Sequence, residues 1–163
     1  MPRHMDLNKF KENIKTWADL RLSSAYQTYC KRLDDPKYTL KEEILENIID
    51  SIRDEWEERK NREGSEYSSP KIGLLSTMGY KVGMDGYKEK VRRKILKDVI
   101  SGPLPLVGNP EYMEEWGEDG SKKRIQKLKN CLIGFSSGKQ HETHHQAVKD
   151  WQEDLEWVDK YTY

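Results

Sequence analysis

Residues 74–100, LLSTMGYKVGMDGYKEKVRRKILKDVI, join a short apolar helix pattern to a glycine-punctuated break and then to a strongly basic helix pattern. Local geometry and charge change together here. Gly79, Gly83 and Gly86 permit positive φ and close backbone approach, and Tyr80 and Tyr87 beside them can anchor a loop onto a core. The spacing predicts a helix over about residues 71–78, an extended loop, and a second helix over about residues 85–101 that buries Val91, Ile95, Leu96, Val99 and Ile100. Such a unit either presents its basic helix to phosphate or forms a plain corner of the scaffold. No catalytic motif elsewhere chooses between the two.

Upstream, Leu7, Phe10, Ile14, Trp17, Leu22, Ala25, Tyr26 and Tyr29 recur at steps of three and four, with Asp6 as N-cap. This predicts one long helix, bent near residues 20–24 and stopped by Asp34, Asp35 and Pro36. Thr39 followed by Glu42 reads as a capping box, opening a helix with a seam of Leu40, Ile44, Leu45, Ile48, Ile49, Ile52 and Trp56. The two helices are expected to form an antiparallel hairpin over residues 5–61. The polar run REGSEYSSP then reads as a linker over residues 62–70. Residues 1–4, MPRH, look like an expression remnant before Met5.

Downstream, GPLPLVGNP at 102–110 must be extended, with Leu104, Leu106 and Val107 pinned to the core. A short helix is expected over 111–116, then one capped by Ser121 that carries Ile125, Leu128, Leu132, Ile133 and Phe135 and closes at 136–138. A last helix over about 142–161 has its seam at Ala147, Val148, Trp151, Leu155 and Trp157 or Val158. No stretch alternates with a period of two, and residues 80–82 offer a stray β-bridge at most. The expected fold is all-α: an N-terminal antiparallel helical hairpin plus a C-terminal helical bundle over residues 71–163.

Across the 163 residues, 34% are hydrophobic and 36% charged, so the core must be economical and most helices amphipathic. Five Trp and nine Tyr against two Phe mean that much of the buried area carries an N–H or O–H in need of a partner. Net charge is zero, which argues against a protein that coats nucleic acid generally. The distribution is uneven: 13 basic against 15 acidic residues in 1–69, 14 against 8 in 70–139, and 2 against 6 in 140–163. The bland account is that the acidic last helix lies against the basic middle; the sharper one is an anionic partner. Cys30 and Cys131 are too few for a disulfide framework. With no run of about 18 apolar residues and no leader pattern, the expectation is a cytoplasmic protein with no membrane contact.

Two basic groups could neutralise phosphates if they converge: Lys88, Lys90, Arg92, Arg93, Lys94 and Lys97, and Lys122, Lys123, Arg124, Lys127 and Lys129, with Tyr80 or Tyr87 for stacking. Against this, Glu89 and Asp98 interleave, and a chain this charged is expected to have Lys-rich solvated faces. His141, His144 and His145 in HETHH could bind Zn or Ni from one helical face, though the pattern is not HExxH and polar His is common at a helix start. The carboxylates around Asp54 to Glu58 and Asp150 to Glu156 read as solvated i, i+4 partners. No nucleophile elbow, phosphate loop or dinucleotide fingerprint is present.

GYKVG at 79–83, the arginine pair before Ile95-Leu96, LPLVGNPEYMEEWGEDGSKKRI at 104–125 and DWQEDLEWVDKYTY at 150–163 together resemble a small, poorly characterised bacterial helical domain. The resemblance covers about residues 72–163 and brings no known activity. It implies Trp116, Trp151 and Trp157 as core anchors and Gly79, Gly83 and Gly117 as turn requirements. GKQHETHH departs from it, standing where a basic stretch is expected.

The reading that follows is a non-enzymatic bacterial or phage binding module without cofactor. It acts through protein-protein contacts of the hairpin, with Trp17, Ile48, Ile52 and Trp56 as interface and a homodimer as one version. The alternatives are a nucleic-acid-binding domain using the 79–86 loop and the basic helix after it, and a metal-dependent hydrolase at the histidines.

Overall fold

The computed structural model describes residues 6–35, 37, 41–62, 67, 73–137 and 145–162. Among these the protein is all-α, with eight helices and one isolated bridge residue at Val107. They are α1 Leu7–Ile14, α2 Asp19–Arg32, α3 Glu42–Asn61, α4 Leu74–Thr77, α5 Glu89–Ile100, α6 Pro110–Trp116, α7 Lys122–Ser136 and α8 His145–Tyr161. They belong to two compact units. The first takes the chain up to Gly79 together with Pro103–Asn109; the second takes residues 80–102 and 110–162. The division falls inside the glycine-broken segment, and the proline-rich excursion returns to the first unit. Most of the expected linker, 62–70, lies outside the described residues.

In the first unit, the single long helix expected from Asp6 is two helices. Asp6 caps α1, its carboxylate accepting from Lys9 N at 3.2 Å. The backbone then leaves the helix at residues 15–18, ahead of the expected bend, and Ala18 at φ −64°, ψ 153° is extended. The break changes phase: α2 buries Leu22, Ser23, Tyr26 and Cys30 instead of continuing the stripe of α1. Both α1 and α2 pack on α3, whose inner side is Leu45, Ile48, Ile49, Ile52, Glu55 and Trp56. Tyr26 meets Trp56 with ring centroids 5.0 Å apart. Phe10 stands edge-on to Trp17 at 5.8 Å and to Tyr29 at 6.2 Å. Leu74, Leu75, Met78, Leu104, Leu106 and Val107 are buried as well. Thr39 and Leu40 lie outside the described residues, and Lys41 precedes α3 with no side-chain cap bond.

The second unit assembles α5, α6, α7 and α8, with α7 against α8, α6 and α5, and α5 also against α8. Ser121 caps α7, accepting from Arg124 N at 3.1 Å. Val91, Ile95, Leu96, Val99, Trp116, Leu128, Leu132, Ala147, Val148 and Val158 form the core. Trp151 and Trp157 are half-buried rather than fully interior, and Ile133 and Phe135 are exposed. The helix after the loop starts at Glu89, not residue 85, because residues 81–88 are held in a turn: Gly86 N donates to Gly83 O and Tyr87 N to Lys81 O, both at 3.0 Å.

That turn explains Gly86. A Cβ there would lie 2.4 Å from the Val82 carbonyl carbon and 2.6 Å from its oxygen, and backbone cannot yield as a flexible side chain can. Gly86→Ala is therefore expected to lower stability by about 2–3 kcal/mol. Gly134→Ala in α7, where nothing lies within 4 Å, should be neutral or stabilising by up to about 1 kcal/mol. Urea unfolding of both variants checks the pair, and equal effects would remove the clash as the cause.

Candidate functional site

The residues predicted to face nucleic acid do not share one fate. Arg92 is 4% exposed. Its Nε and Nη2 donate to Asp154 Oδ2 and Oδ1 at 2.9 and 3.1 Å, a bidentate pair, and its Nη1 donates to the Tyr87 carbonyl at 3.0 Å. Asp150 Oδ2 stands 3.8 Å from Nη1. Tyr80 is buried too, its Oη donating to Asp154 Oδ2 at 2.6 Å. Gly83 N and Gln146 Nε2 donate to the two oxygens of Asp150 at 2.9 and 2.8 Å. One guanidinium and two carboxylates thus sit in the interior with a donor or acceptor for each of their main groups, tying the 80–87 loop and α5 to α8. These side chains serve the fold; a phosphate cannot reach them.

Arg124 is likewise interior. Its Nη1 and Nη2 donate to the carbonyls of Gly102 and Gly117 at 2.7 and 3.2 Å, closing the turns that follow α5 and α6. Tyr87 is half-buried, with its carbonyl given to Arg92. Arg93 pairs with Glu89 and lies 5.7 Å over the Trp157 ring. Lys127 bonds Glu115 at 3.0 Å, Lys129 bonds Asp159 at 2.8 Å and Lys94 bonds Asp98 at 3.2 Å. Lys97 is exposed, 5.8 Å from the Tyr161 ring, and Lys88, Lys90, Lys122 and Lys123 are exposed. Five of the eleven basic residues named above, Arg92, Arg93, Lys94, Lys127 and Lys129, are thereby matched by the protein's own carboxylates.

The Tyr80 hydroxyl carries a pH signature. Burial, reinforced by the Asp154 charge, holds its pKa well above the ordinary tyrosine value. The unfolded chain loses this proton near pH 10 and the folded one keeps it. Its contribution to stability is complete below about pH 10 and declines as pH rises beyond that. The urea midpoint should fall between about pH 9.5 and 11, and fall less steeply in Tyr80→Phe. Equal slopes in the two proteins would remove Tyr80 as the source.

Among the described residues no three His, Cys, Asp or Glu side chains are placed to hold a metal ion. His145 is exposed at the first position of α8; His141 and His144 lie outside the described residues. Burial pushes the Cys131 thiol up, away from the thiolate a nucleophile needs.

The predicted protein interface also divides. Ile48, Ile52 and Trp56 are at most 2% exposed and form the interior of the first unit, so the stripe read as an interface is its core. Trp17 is half-buried at the corner between α1 and α2. The Arg21 guanidinium covers its ring at 4.1 Å, and the next side chain along, Leu20, is 76% exposed. Arg59, near the end of α3, fixes this corner. It donates to Ile14 O at 3.2 Å, Trp17 O at 2.7 Å and Asp19 Oδ1 at 2.5 Å, and its Nε to Glu55 Oε2 at 2.8 Å. The carbonyls released where α1 ends are thus given new donors. Arg59 belongs to the last turn of α3 and Asp19 to the first of α2, so the end of one helix meets the start of the other.

Sequence reasoning missed Arg59, Glu55, Asp150, Asp154 and Leu20. The first four carry a readable signal, argued below. Leu20 is exposed because the break at 15–18 rotates α2, and nothing in the apolar spacing announces it. No family model matches the chain, and no curated protein or solved structure is similar to it at a significant level.

Proposed function

We propose that the protein is a non-enzymatic binding module acting through protein-protein contacts of its N-terminal helical unit, made at the α1–α2 corner. The observation that carries this reading is the exposed Leu20 beside an arginine-covered Trp17 on a corner locked by Arg59. Scattered exposed leucines are ordinary; an aliphatic tip next to Trp and Arg is the composition of an interface anchor. The locked backbone adds preorganisation, which reduces the ordering penalty on binding.

Leu20→Asp should abolish partner capture from the native host while leaving the thermal melt unchanged, since the side chain contributes little to the interior. Light scattering on the eluting peak separates a homodimer from a foreign partner. Capture undiminished in Leu20→Asp and in Trp17→Ala would sink the reading. The nucleic-acid alternative rests on the exposed Lys88, Lys90, Lys97, Lys122 and Lys123, and no gel shift at low salt removes it.

A further inference from the structure

The first unit is not built from one continuous run of chain. Its own run ends at Gly79, and it takes in residues 103–109 from beyond α5, a piece that buries Leu104, Leu106 and Val107. Interior aliphatic side chains are costly to lose, so three of them are a large share of what holds a unit of this size together. The backbone of the piece contributes less. Pro103 and Pro105 have no N–H to give, although their fixed φ keeps the segment extended at little entropic cost.

What fixes the ends of this segment lies in the second unit. Gly102, at φ 95°, immediately precedes it. Its N–H donates to Asp119 Oδ1 at 2.6 Å and its carbonyl accepts from Arg124 Nη1 at 2.7 Å, both charge-assisted bonds. Downstream, Pro110 opens α6, and Gly117 just after that helix gives its carbonyl to Arg124 Nη2 at 3.2 Å. One interior guanidinium therefore bonds the chain both before and after the excursion, a task suited to a planar fork with several fixed donors. Gly120 N donating to Ile100 O at 3.0 Å closes the same end.

We infer that Arg124 and Asp119 form a clamp that couples the two units: by fixing both ends of the excursion they keep residues 103–109 seated in the first unit, whose stability then depends on bonds made in the second. With the clamp open, the excursion is a longer and freer loop, and seating its three apolar side chains costs conformational entropy that the closed clamp has already removed. The dependence runs both ways, as any linkage must: a first unit that loses its hold on the segment also loosens the clamp. Both residues are positioning residues, and the coupling is the same whichever surface a partner uses.

Hydrogen exchange on the full chain tests this, read at residues 45–56 of α3 and residues 151–158 of α8. The α3 amides should exchange about threefold faster in Asp119→Ala and about tenfold faster in Arg124→Met, although both substitutions are in the second unit. Leu106→Ser, in the segment itself, should accelerate α3 at least as much as Asp119→Ala does, with α8 less affected. Ala147→Gly is the control: it weakens α8 without altering the excursion, so it should speed exchange in α8 and leave α3 protected. Protection of α3 unchanged in Asp119→Ala and Arg124→Met overturns the proposal, as does protection unchanged in Leu106→Ser. Equal acceleration of α3 by Ala147→Gly and Asp119→Ala overturns it too, because any loss of stability in the second unit would then reach the first without the clamp. Should Arg124→Met fail to fold, the comparison of Asp119→Ala with Ala147→Gly decides.

Discussion

Asp154→Ala should leave the second unit unfolded or barely stable, the largest effect expected of any single substitution in this protein. Asp154 is 0% exposed and accepts from Arg92 Nε, Arg92 Nη2 and Tyr80 Oη. Removing it does not remove the charge it answers. Arg92 stays protonated at any accessible pH, stays interior, and keeps only the Tyr87 carbonyl and the more distant Asp150. Truncating one member of a buried pair costs about 3–5 kcal/mol for this reason, against a total of about 5–15 for a typical domain. Asp154→Asn should be nearly as harmful, since an amide offers one acceptor oxygen where three donors converge and turns its own donors toward them. Replacing Tyr80, Arg92 and Asp154 together by Phe, Met and Leu should recover much of the loss, because the pair and its desolvation penalty vanish together. Urea midpoints followed by tryptophan fluorescence measure all three. A loss below about 1 kcal/mol for Asp154→Ala would mean that water reaches the cluster and that it is no interior lock.

The same cluster shows what could be read from the residues and what could not. Helical class and most core positions follow from apolar recurrence: Val91, Ile95 and Val99 in α5, or Ala147, Val148 and Val158 in α8, are buried. Reading only the apolar residues hid the charged members of the same seams. Positions 147, 150, 154 and 158 step by three, four and four, so Asp150 and Asp154 lie on the buried stripe of α8; Arg92 lies on that of α5 with Ile95 and Val99; and Leu45, Ile48, Ile52, Glu55 and Arg59 step along α3. A charge in register with a buried seam is a signal in itself, because interior placement is tolerated only with an opposite partner. Counting such residues as part of a solvated face is what assigned Arg92 to an anionic ligand. Which carboxylate answers which guanidinium is set by pairings 62 and 40 residues apart, between Arg92 and Asp154 and between Arg59 and Asp19, and no local pattern encodes those.

The burial of Ile48, Ile52 and Trp56 has a related reason. Ile48, Ile52 and Trp56 can supply an interface only if they exceed what the helices around them cover, and α1 and α2 are separate elements that both pack on α3. Residues 74–78 and 104–107 also contribute buried apolar side chains to this unit. A helix that breaks in two covers more of its neighbour than one that runs straight. Lys15, Thr16, Trp17 and Ala18 include no proline or glycine, so the break has no sequence punctuation. It persists because a residue more than forty positions away supplies donors to the carbonyls that the break exposes.

That dependence makes Arg59 the second position where a large effect is expected. Arg59→Ala should lower the stability of the first unit by about 3 kcal/mol, since it leaves the buried Glu55 carboxylate without its ion pair and strips the donors from Ile14 O and Trp17 O. Arg59→Lys is the sharper variant. It keeps the charge and most of the stem, yet an ammonium on a flexible chain lacks the fixed fork that reaches Glu55, Asp19 and two carbonyls at once, so it should recover less than half of the loss. Hydrogen exchange locates the damage: in Arg59→Lys the amides of residues 15–20 should exchange faster while those in the middle of α3 keep their protection, because the corner opens before the core does. The variant also separates presentation from contact. It changes no side chain on the outer surface, so weaker partner binding in Arg59→Lys would mean that the rigidity of the corner contributes to recognition as well as Leu20 and Arg21 do. Unaltered stability and exchange in Arg59→Lys would show instead that the break at residues 15–18 is held by the packing of Phe10, Ile14 and Trp17 alone.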